Sequence, residues 1–337
     1  MKLRIAVDAM GGDNGPGTVV AGALAAARHL ELGLVLVGPE DEIAREIGRY
    51  GDASGLDVRI VHSADVIGMS ESPVAALRRK PHASIRMAAD VVARGEAAAL
   101  FSAGHTGATV VAAHAAFGML PGVDRPALAT TIPTQSLAAV LLDVGASIEC
   151  RPQHLLQFAV MGCVYARVAL SVDNPRVALL SIGEEETKGN ELTREAHRLL
   201  KAANLNFTGN IEARDVYHGQ ADVIVCDGFT GNIVLKISEG LVETVETLLG
   251  DELSSTFSGR MGSLLSRRAF RRFRRRVDYS EYGGAPLLGV AGLCIVGHGR
   301  SSAKAIRNAV AMAYRFANQH VLQRVEQDIA AAAVPHR

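Results

Sequence analysis

Val177-Ala-Leu-Leu-Ser-Ile-Gly-Glu-Glu-Glu-Thr-Lys-Gly-Asn190 runs from an apolar segment into a polar loop bounded by glycines, and then into a helical pattern. The stretch from Arg176 to Ile182 is apolar and too short for a helix, as in a strand buried on both faces of a parallel sheet. Gly183 ends it. From Asn190 onward, Glu191, Arg194, Glu195 and Arg198 alternate with Leu192, Ala196, Leu199 and Leu200 at helical spacing. The loop therefore lies where the carboxyl end of a strand meets a helix N-terminus, the usual ligand crevice of an open α/β sheet. Such a terminus offers unpaired N–H groups and partial positive charge, and Lys188 beside Gly189 adds a full charge, so Lys188 is expected to handle an anion. Three adjacent carboxylates, Glu184 to Glu186, oppose that expectation unless they are turned away, and a solvated charged loop is the plain alternative.

With 337 residues, 48% apolar and 21% charged, the chain exceeds the usual size of one hydrophobic core. One large α/β domain over 1–337 is expected, carrying a basic helical arm at 251–277. Tryptophan is absent and aromatics are 4%, which argues against a stacking platform for single-stranded nucleic acid. Cys150, Cys163, Cys226 and Cys294 show no paired spacing, so neither a zinc site nor a disulfide framework is indicated, and the compartment reads as reducing. The apolar residues before Asp8 are too few for a signal peptide, and no apolar run reaches the length of a membrane span. A cytoplasmic location follows as an expectation.

Leu3 to Val7 reads as the first strand and Asp8-Ala-Met-Gly-Gly-Asp-Asn-Gly-Pro16 as the loop at its end, with Pro16 in the first turn of the next helix. The glycine spacing does not match a dinucleotide fingerprint. Asp13 or Asn14 capping the helix is the plain account, and a polar pocket lined by Asp8, Gly11 and Gly12 is the alternative. Strands then alternate with helices through Arg94, which predicts a mainly parallel sheet; Arg78, Arg79 and Lys80 read as a solvated face rather than an anion site. Two later stretches share one pattern of strand, G-x-T-G and helix: Gly104-His-Thr-Gly107 and Gly228-Phe-Thr-Gly231, the latter followed by Asn232. Their glycines let backbone approach a ligand, and Thr106 and Thr230 can cap the helix or bond an oxygen anion; two ordinary tight turns is the plain reading. Ala127 to Ile132 and Leu137 to Leu142 are too close for a helical crossover and predict an antiparallel hairpin. A helix over Gln153 to Ala169 and a last helix reaching Gln327 complete the pattern.

Asp251 to Val277 reads as a surface-binding arm. Leu253, Phe257, Met261 and Leu264 fall on one helical face, with Leu265 at its margin, whereas Phe270, Phe273 and Val277 would point the opposite way, so two helices breaking near Ser266 are expected. Ser254 to Arg276 holds eight arginines and no acid, although the formal net charge of the chain is zero. Arginines around an apolar stripe make the pattern of a helix lying in a membrane interface. Phe257, Met261, Leu264, Arg267, Arg271 and Arg275 are the candidate contacts for an anionic membrane surface or an acidic partner; nucleic acid is the other common partner of such a run, and a dimer contact the plain reading of the apolar faces.

Taken together, Asp8-Ala-Met-Gly-Gly-Asp13, Ser102-Ala-Gly-His-Thr-Gly-Ala108, Arg125-Pro-Ala127, Leu142-Asp-Val-Gly-Ala146, Ile182-Gly-Glu-Glu-Glu-Thr-Lys-Gly189, Cys226-Asp-Gly-Phe-Thr-Gly-Asn232 and Tyr282-Gly-Gly-Ala-Pro-Leu-Leu-Gly289 resemble the PlsX family of phosphate acyltransferases. The resemblance spans nearly the whole chain in the family's order. It implies a three-layer α/β/α sandwich like isopropylmalate dehydrogenase and phosphotransacetylase, a homodimer, and no cofactor or metal. It further implies acyl transfer from acyl-acyl carrier protein to inorganic phosphate, giving acyl phosphate for phospholipid synthesis, by a peripheral membrane enzyme. Lys188 and Asn232 carry over as catalytic residues. His105, Ser147 and Ser181 stand where the family has asparagine. An isopropylmalate-type dehydrogenase and a non-catalytic carrier or membrane adaptor are the rival functions; no nicotinamide fingerprint stands out for the first, and the glycine-threonine and lysine loops have no purpose in the second.

Overall fold

Alternation along single strands sets the layers of this protein. In its computed structural model, which describes residues 2–50, 53–136, 138–277 and 283–332, β1 (Leu3–Asp8) turns Ile5 and Val7 to one side and Ala6 to the other, all fully buried. Side chains that alternate in direction and are all buried require apolar cover on both faces of a sheet. The cover comes from the helices between strands. The first group of elements is completed by α1 (Gly15–His29), β2 (Leu32–Gly38), α2 (Glu40–Arg49), β3 (Val58–His62), α3 (Pro73–Arg79), α4 (Ser84–Ala93), β4 (Ala99–Ser102) and α5 (Thr106–Phe117). The second comprises β5 (Ala127–Pro133), β6 (Ala138–Leu142), α6 (Pro152–Tyr165), β7 (Val177–Leu180), α7 (Glu191–Ala202), β8 (Phe207–Ile211), β9 (Val223–Val225) and α8 (Gly228–Ser255). Then follow α9 (Phe257–Leu265), α10 (Arg267–Val277), β10 (Ala285–Leu288), β11 (Leu293–Val296), α11 (Ala303–Asn318) and α12 (Val321–Ala332).

All described strands form one sheet in the order β3-β2-β1-β4-β11-β10-β5-β6-β9-β7-β8. Residues of α1, α6, α7, α11 and α12 fill the core on one face, and those of α3, α4, α5 and the start of α8 fill the other. This is the expected three-layer α/β/α sandwich with a mainly parallel sheet. Its centre is not parallel, however. β10 pairs antiparallel with both β11 and β5, and β5 pairs antiparallel with β6 as the hairpin reading requires. Across these reversals β6, β9, β7 and β8 run opposite to β3, β2, β1, β4 and β11, so the carboxyl ends of the two parallel groups lie on opposite edges of the sheet.

Several boundaries differ from expectation. β7 stops at Leu180, two residues before Ile182, which is exposed. Phe207–Ile211 is an edge strand that polar and glycine residues conceal in sequence. The last helix is two, parted at His320 with φ 53°. On the arm, α8 continues unbroken through Asp251 to Ser255, and the breaks fall at Thr256 and, as expected, at Ser266. Asn14 occupies the N-cap of α1 without capping it; its side-chain amide instead donates to Ser301 O at 3.2 Å. Leu137 and Tyr282 lie outside the described residues, as do the side chains of 274–277, Arg275 among them.

Asp143, just after β6, locks the second group together. Its wholly buried carboxylate accepts from the N–H groups of Leu128, Gly145, Ala146 and Ser147 at 2.8, 3.0, 3.0 and 2.6 Å. Burial pushes this carboxyl up to about 6, although the four donors pull it back. Asp143→Ala leaves four donors without that acceptor, at about 1–3 kcal/mol for each donor left unsatisfied, so urea denaturation is expected to show a loss of several kcal/mol. Because the folded value exceeds the ordinary 3.8, the share of stability from this proton is complete below 3.8 and is lost as pH rises through about 6. The stability gap between wild type and Asp143→Ala should therefore narrow across that window; a gap that widens with pH contradicts the account.

Candidate active site

The expected site residues fall into two groups, one on each edge of the sheet. At the carboxyl ends of β1 and β4, where the strand order reverses around β1, a cavity of about 170 Å³ is lined by Asp8, Gly11, Gly12, Gly104 and His105. Asp8 forms its buried floor. Ser102 Oγ donates to Asp8 Oδ2 at 2.7 Å and Met10 N–H to Oδ1 at 3.3 Å. Burial raises the Asp8 carboxyl, against the hydrogen bonds of Ser84, Ser102, Met10 and Gly11. Met10, Ile67, Met69, Ile85 and Ala108 supply apolar walls. Lys80, read from sequence as part of a solvated face, is instead tied down: its ammonium donates to Glu71 Oε1 at 2.6 Å and to Val66 O at 2.8 Å, bracing the Val66–Met69 rim.

The two G-x-T-G stretches do not enter their helices in the same register. In the first, His105 is the N-cap, its Nδ1 accepting from Ala108 N–H at 3.4 Å, and Thr106 and Gly107 are already helical. Imidazole thus supplies the acceptor that asparagine, a preferred capping residue, supplies elsewhere. In the second, Asp227 is the N-cap, and Thr230, third in the helix, donates its N–H and hydroxyl to the two Asp227 oxygens at 2.9 and 2.8 Å. Neither threonine caps. Gly228 N–H is taken by Ser147 O and Gly231 N–H by Asp227 O, so the start of α8 offers a ligand the exposed Asn232 amide more than free backbone. A Cβ at Gly231 would lie 1.9 Å from Asp143 O, so glycine lets α8 dock on the loop after β6. Asn232 borders that loop at Gly145.

β9 lies between β6 and β7, so the loops after these three parallel strands share one edge of the sheet. This brings the Lys188 loop beside the start of α8. Lys188 is exposed and makes no ion pair among the described residues, while Glu186 turns away to Lys201 and buried His197. One of the three opposing carboxylates is thereby removed from the lysine. Gly189, at φ 96°, adopts a backbone conformation that a side chain would strain, and Asn190 caps α7 by accepting from Thr193 N–H at 2.9 Å. Ser181 Oγ, packed near Gly189, is buried with no hydrogen-bond partner among the described residues.

One feature escaped the sequence reading. Of the 28 residues of α8 only Gly228 and Gly231 are buried, and Phe229, Ile233, Ile237, Leu241, Val245 and Leu248 form an exposed apolar stripe at helical spacing. The periodicity is present in the sequence, which does not by itself tell a core-facing helix from an exposed one. The stripe leads into α9, where Phe257, Met261, Leu264 and Leu265 are also exposed, and then to Arg267, Arg268, Arg271 and Arg272, exposed and without ion pairs among the described residues. No helix among the described residues is long and apolar enough to cross a membrane.

Comparison with known proteins bears on the fold and the family. A phosphotransacetylase from Streptococcus pyogenes superposes with a TM-score of 0.66 at 19% identity, covering 94% of each chain. A 4-hydroxythreonine-4-phosphate dehydrogenase from Klebsiella pneumoniae has a TM-score of 0.53 at 13% identity, covering 94% of this chain and all of its own. At such identities the likeness concerns the fold alone. In sequence, a phosphate acyltransferase from Nitratidesulfovibrio vulgaris is 51% identical over 328 residues, 97% of this chain and 95% of its own. Another from Geotalea uraniireducens is 49% identical over 327 residues, 97% of this chain and 94% of its own. The family model described as fatty acid synthesis protein matches residues 3–324. A match of that extent, with about half of all residues shared with named phosphate acyltransferases, means that this chain belongs to the phosphate acyltransferase family of fatty acid synthesis proteins.

Proposed function

We propose that this chain transfers a fatty acyl group from acyl-acyl carrier protein to inorganic phosphate, releasing acyl phosphate for phospholipid synthesis. Family membership supports the coarser statement, a phosphate acyltransferase. What supports the reading further is that the Lys188 loop and the Asn232 helix follow adjacent parallel strands, β7 and β9. Phosphate dianion is already a nucleophile near neutral pH, so the site need not generate one. One phosphate oxygen attacks the thioester carbonyl, a C–O bond forms, the C–S bond breaks, and the carrier thiolate leaves and takes up a proton. Lys188 and Asn232 hold phosphate and the developing oxyanion between them, stabilising charge that is largest in the transition state. Asp8, Gly11, Gly12, Gly104, His105, Thr106 and Gly107 on one side, with Gly189, Thr230 and Gly231 on the other, form the substrate-binding surround.

Two surfaces complete the proposal. The apolar stripe of α8 exceeds what a lone chain keeps in water, and a second copy of the chain, giving a homodimer, is the occupant proposed for it. Phe257, Met261, Leu264 and the arginines of α10 form the contact with an anionic membrane surface or with the acidic carrier, so that a cytoplasmic enzyme works at the membrane without spanning it.

With purified protein and acyl-acyl carrier protein, free carrier thiol should appear only when phosphate is supplied; equal release without phosphate would mean a thioesterase. Lys188→Ala and Asn232→Ala should each lower turnover by about 100-fold or more at unchanged thermal stability, the scale of losing one oxyanion donor, while Thr187→Ala should matter much less. Near-normal turnover in Lys188→Ala would remove that residue from the mechanism. For the arm, co-sedimentation with vesicles containing anionic lipid should fall in Phe257→Glu with Leu264→Glu, and in Arg271→Glu with Arg275→Glu. Equal binding by all three proteins would place the membrane contact elsewhere, and a loss of turnover confined to the arginine variant would assign that face to the carrier.

A further inference from the structure

Between the two groups of site residues lies a cluster of ionisable side chains that the reaction as derived does not use. α8 carries Asn232, Lys236 and Glu239 at intervals of four and three residues, which puts them along one helical face, Lys236 about 6 Å beyond Asn232 along the axis. The Lys236 ammonium donates to Glu239 Oε2 at 2.8 Å and lies 3.2 Å from His298 Nε2; Glu239 Oε2 is also 3.8 Å from that nitrogen. His298 belongs to the loop after β11, across the central reversal of the sheet from β9, where α8 begins.

That loop also holds the glycine turn after β1. Asp13 N–H donates to Gly299 O at 2.7 Å, Asn14 Nδ2 donates to Ser301 O, and a Cβ on Gly12 would lie 3.3 Å from Gly299 O. A short chain of contacts therefore runs from Gly12 and Asp13 through Gly299 and His298 to Lys236, and one helical turn back to Asn232. α8 needs such a fixture. Within one chain the helix buries no residue completely beyond its first turn, so few contacts of that chain set its rotation against the Gly11-Gly12 loop. Tyr217, donating to Ser238 Oγ, ties it to its own group of strands; Lys236 and His298 tie it to the other.

We propose that Lys236, held by Glu239 and His298, is a positioning residue that fixes the Asn232 face of α8 against the Gly11-Gly12 loop, so that the two edges of the sheet act as one site. The proposal rests on the reading that Asn232 acts in acyl transfer. The contact is selective for the form of His298. A neutral imidazole has one acceptor nitrogen, which serves either Lys236 at Nε2 or Arg300 N–H at Nδ1, 3.2 Å away, so the Lys236 bond selects the neutral tautomer with its proton on Nδ1. Burial and Lys236 hold the His298 pKa below its ordinary value, with Arg300 acting the same way and Glu239 and Asp13 opposing.

Hydrogen–deuterium exchange tests the clasp without reference to turnover. In Lys236→Met, amides of Gly228 to Ile233 and of Gly11 to Asp13 should exchange at least tenfold faster than in wild type; unchanged protection in either segment overturns the clasp. Kinetics test its purpose. Lys236→Met should lower kcat at least tenfold with the KM for phosphate within twofold, and Lys236→Arg should recover most of the loss. In the Asn232→Ala background Lys236→Met should cost almost nothing further, because its effect passes through Asn232. Losses that multiply, or a loss confined to the KM for phosphate, overturn the positioning role. If wild type forms no acyl phosphate, the proposed function falls, and the exchange measurement still decides the clasp.

Discussion

β10 hydrogen-bonds antiparallel on both sides, to β11 through Ala285 and Pro286 and to β5 through Leu287 and Leu288. With the β5–β6 hairpin it joins two parallel groups pointing opposite ways in one continuous sheet. Ligand crevices of open α/β sheets form at strand carboxyl ends, so such a sheet has two of them rather than one. The Asp8–His105 cavity belongs to the first and the Lys188–Asn232 edge to the second. The third turn of α8 reaches across that reversal through Lys236 and His298.

Much of this was legible in the sequence. Strands buried on both faces, such as Leu32–Gly38, read clearly because burial of every residue leaves a continuous apolar run bounded by glycine or polar residues. The hairpin was legible because its connection is too short for a helix. What was not legible depended on tertiary partners. Phe207-Thr-Gly-Asn-Ile211 is a strand because β7 lies beside it, not because of its own pattern. The turn at His320 carries no glycine or proline. The caps were misread for a related reason: a threonine in G-x-T-G is a plausible cap in isolation, but the helix start is decided by where Asp227 and His105 sit relative to the strand before them.

Within the candidate site, residue types were readable and their grouping was not. Lys188 and Asn232 stand forty-four residues apart in sequence, and the loops that carry them share one edge of the sheet because β9 pairs in parallel beside β7. By the same rule, His105, inside the first G-x-T-G stretch, and Asn232, just after the second, end on different edges. The fate of the acids around Lys188 was also invisible: Glu186 is drawn off by Lys201 and His197, residues of α7 that approach only once the loop is folded. Local charge counts in a loop mislead when neighbouring helices supply counter-ions.

The four cysteines have a practical side. Cys163, Cys226 and Cys294 are buried and Cys150 is partly so, and burial pushes Cys150, Cys163 and Cys294 to about 12 and Cys226 well above its ordinary value. Thiolate is the species that attacks disulfide reagents, and at neutral pH these side chains hold almost none. A chromogenic disulfide added to follow a carrier's liberated sulfhydryl will therefore report the carrier and not the enzyme. Unfolding reverses this silence: four thiols become reactive together, so the same reagent that measures turnover also registers the loss of the native state.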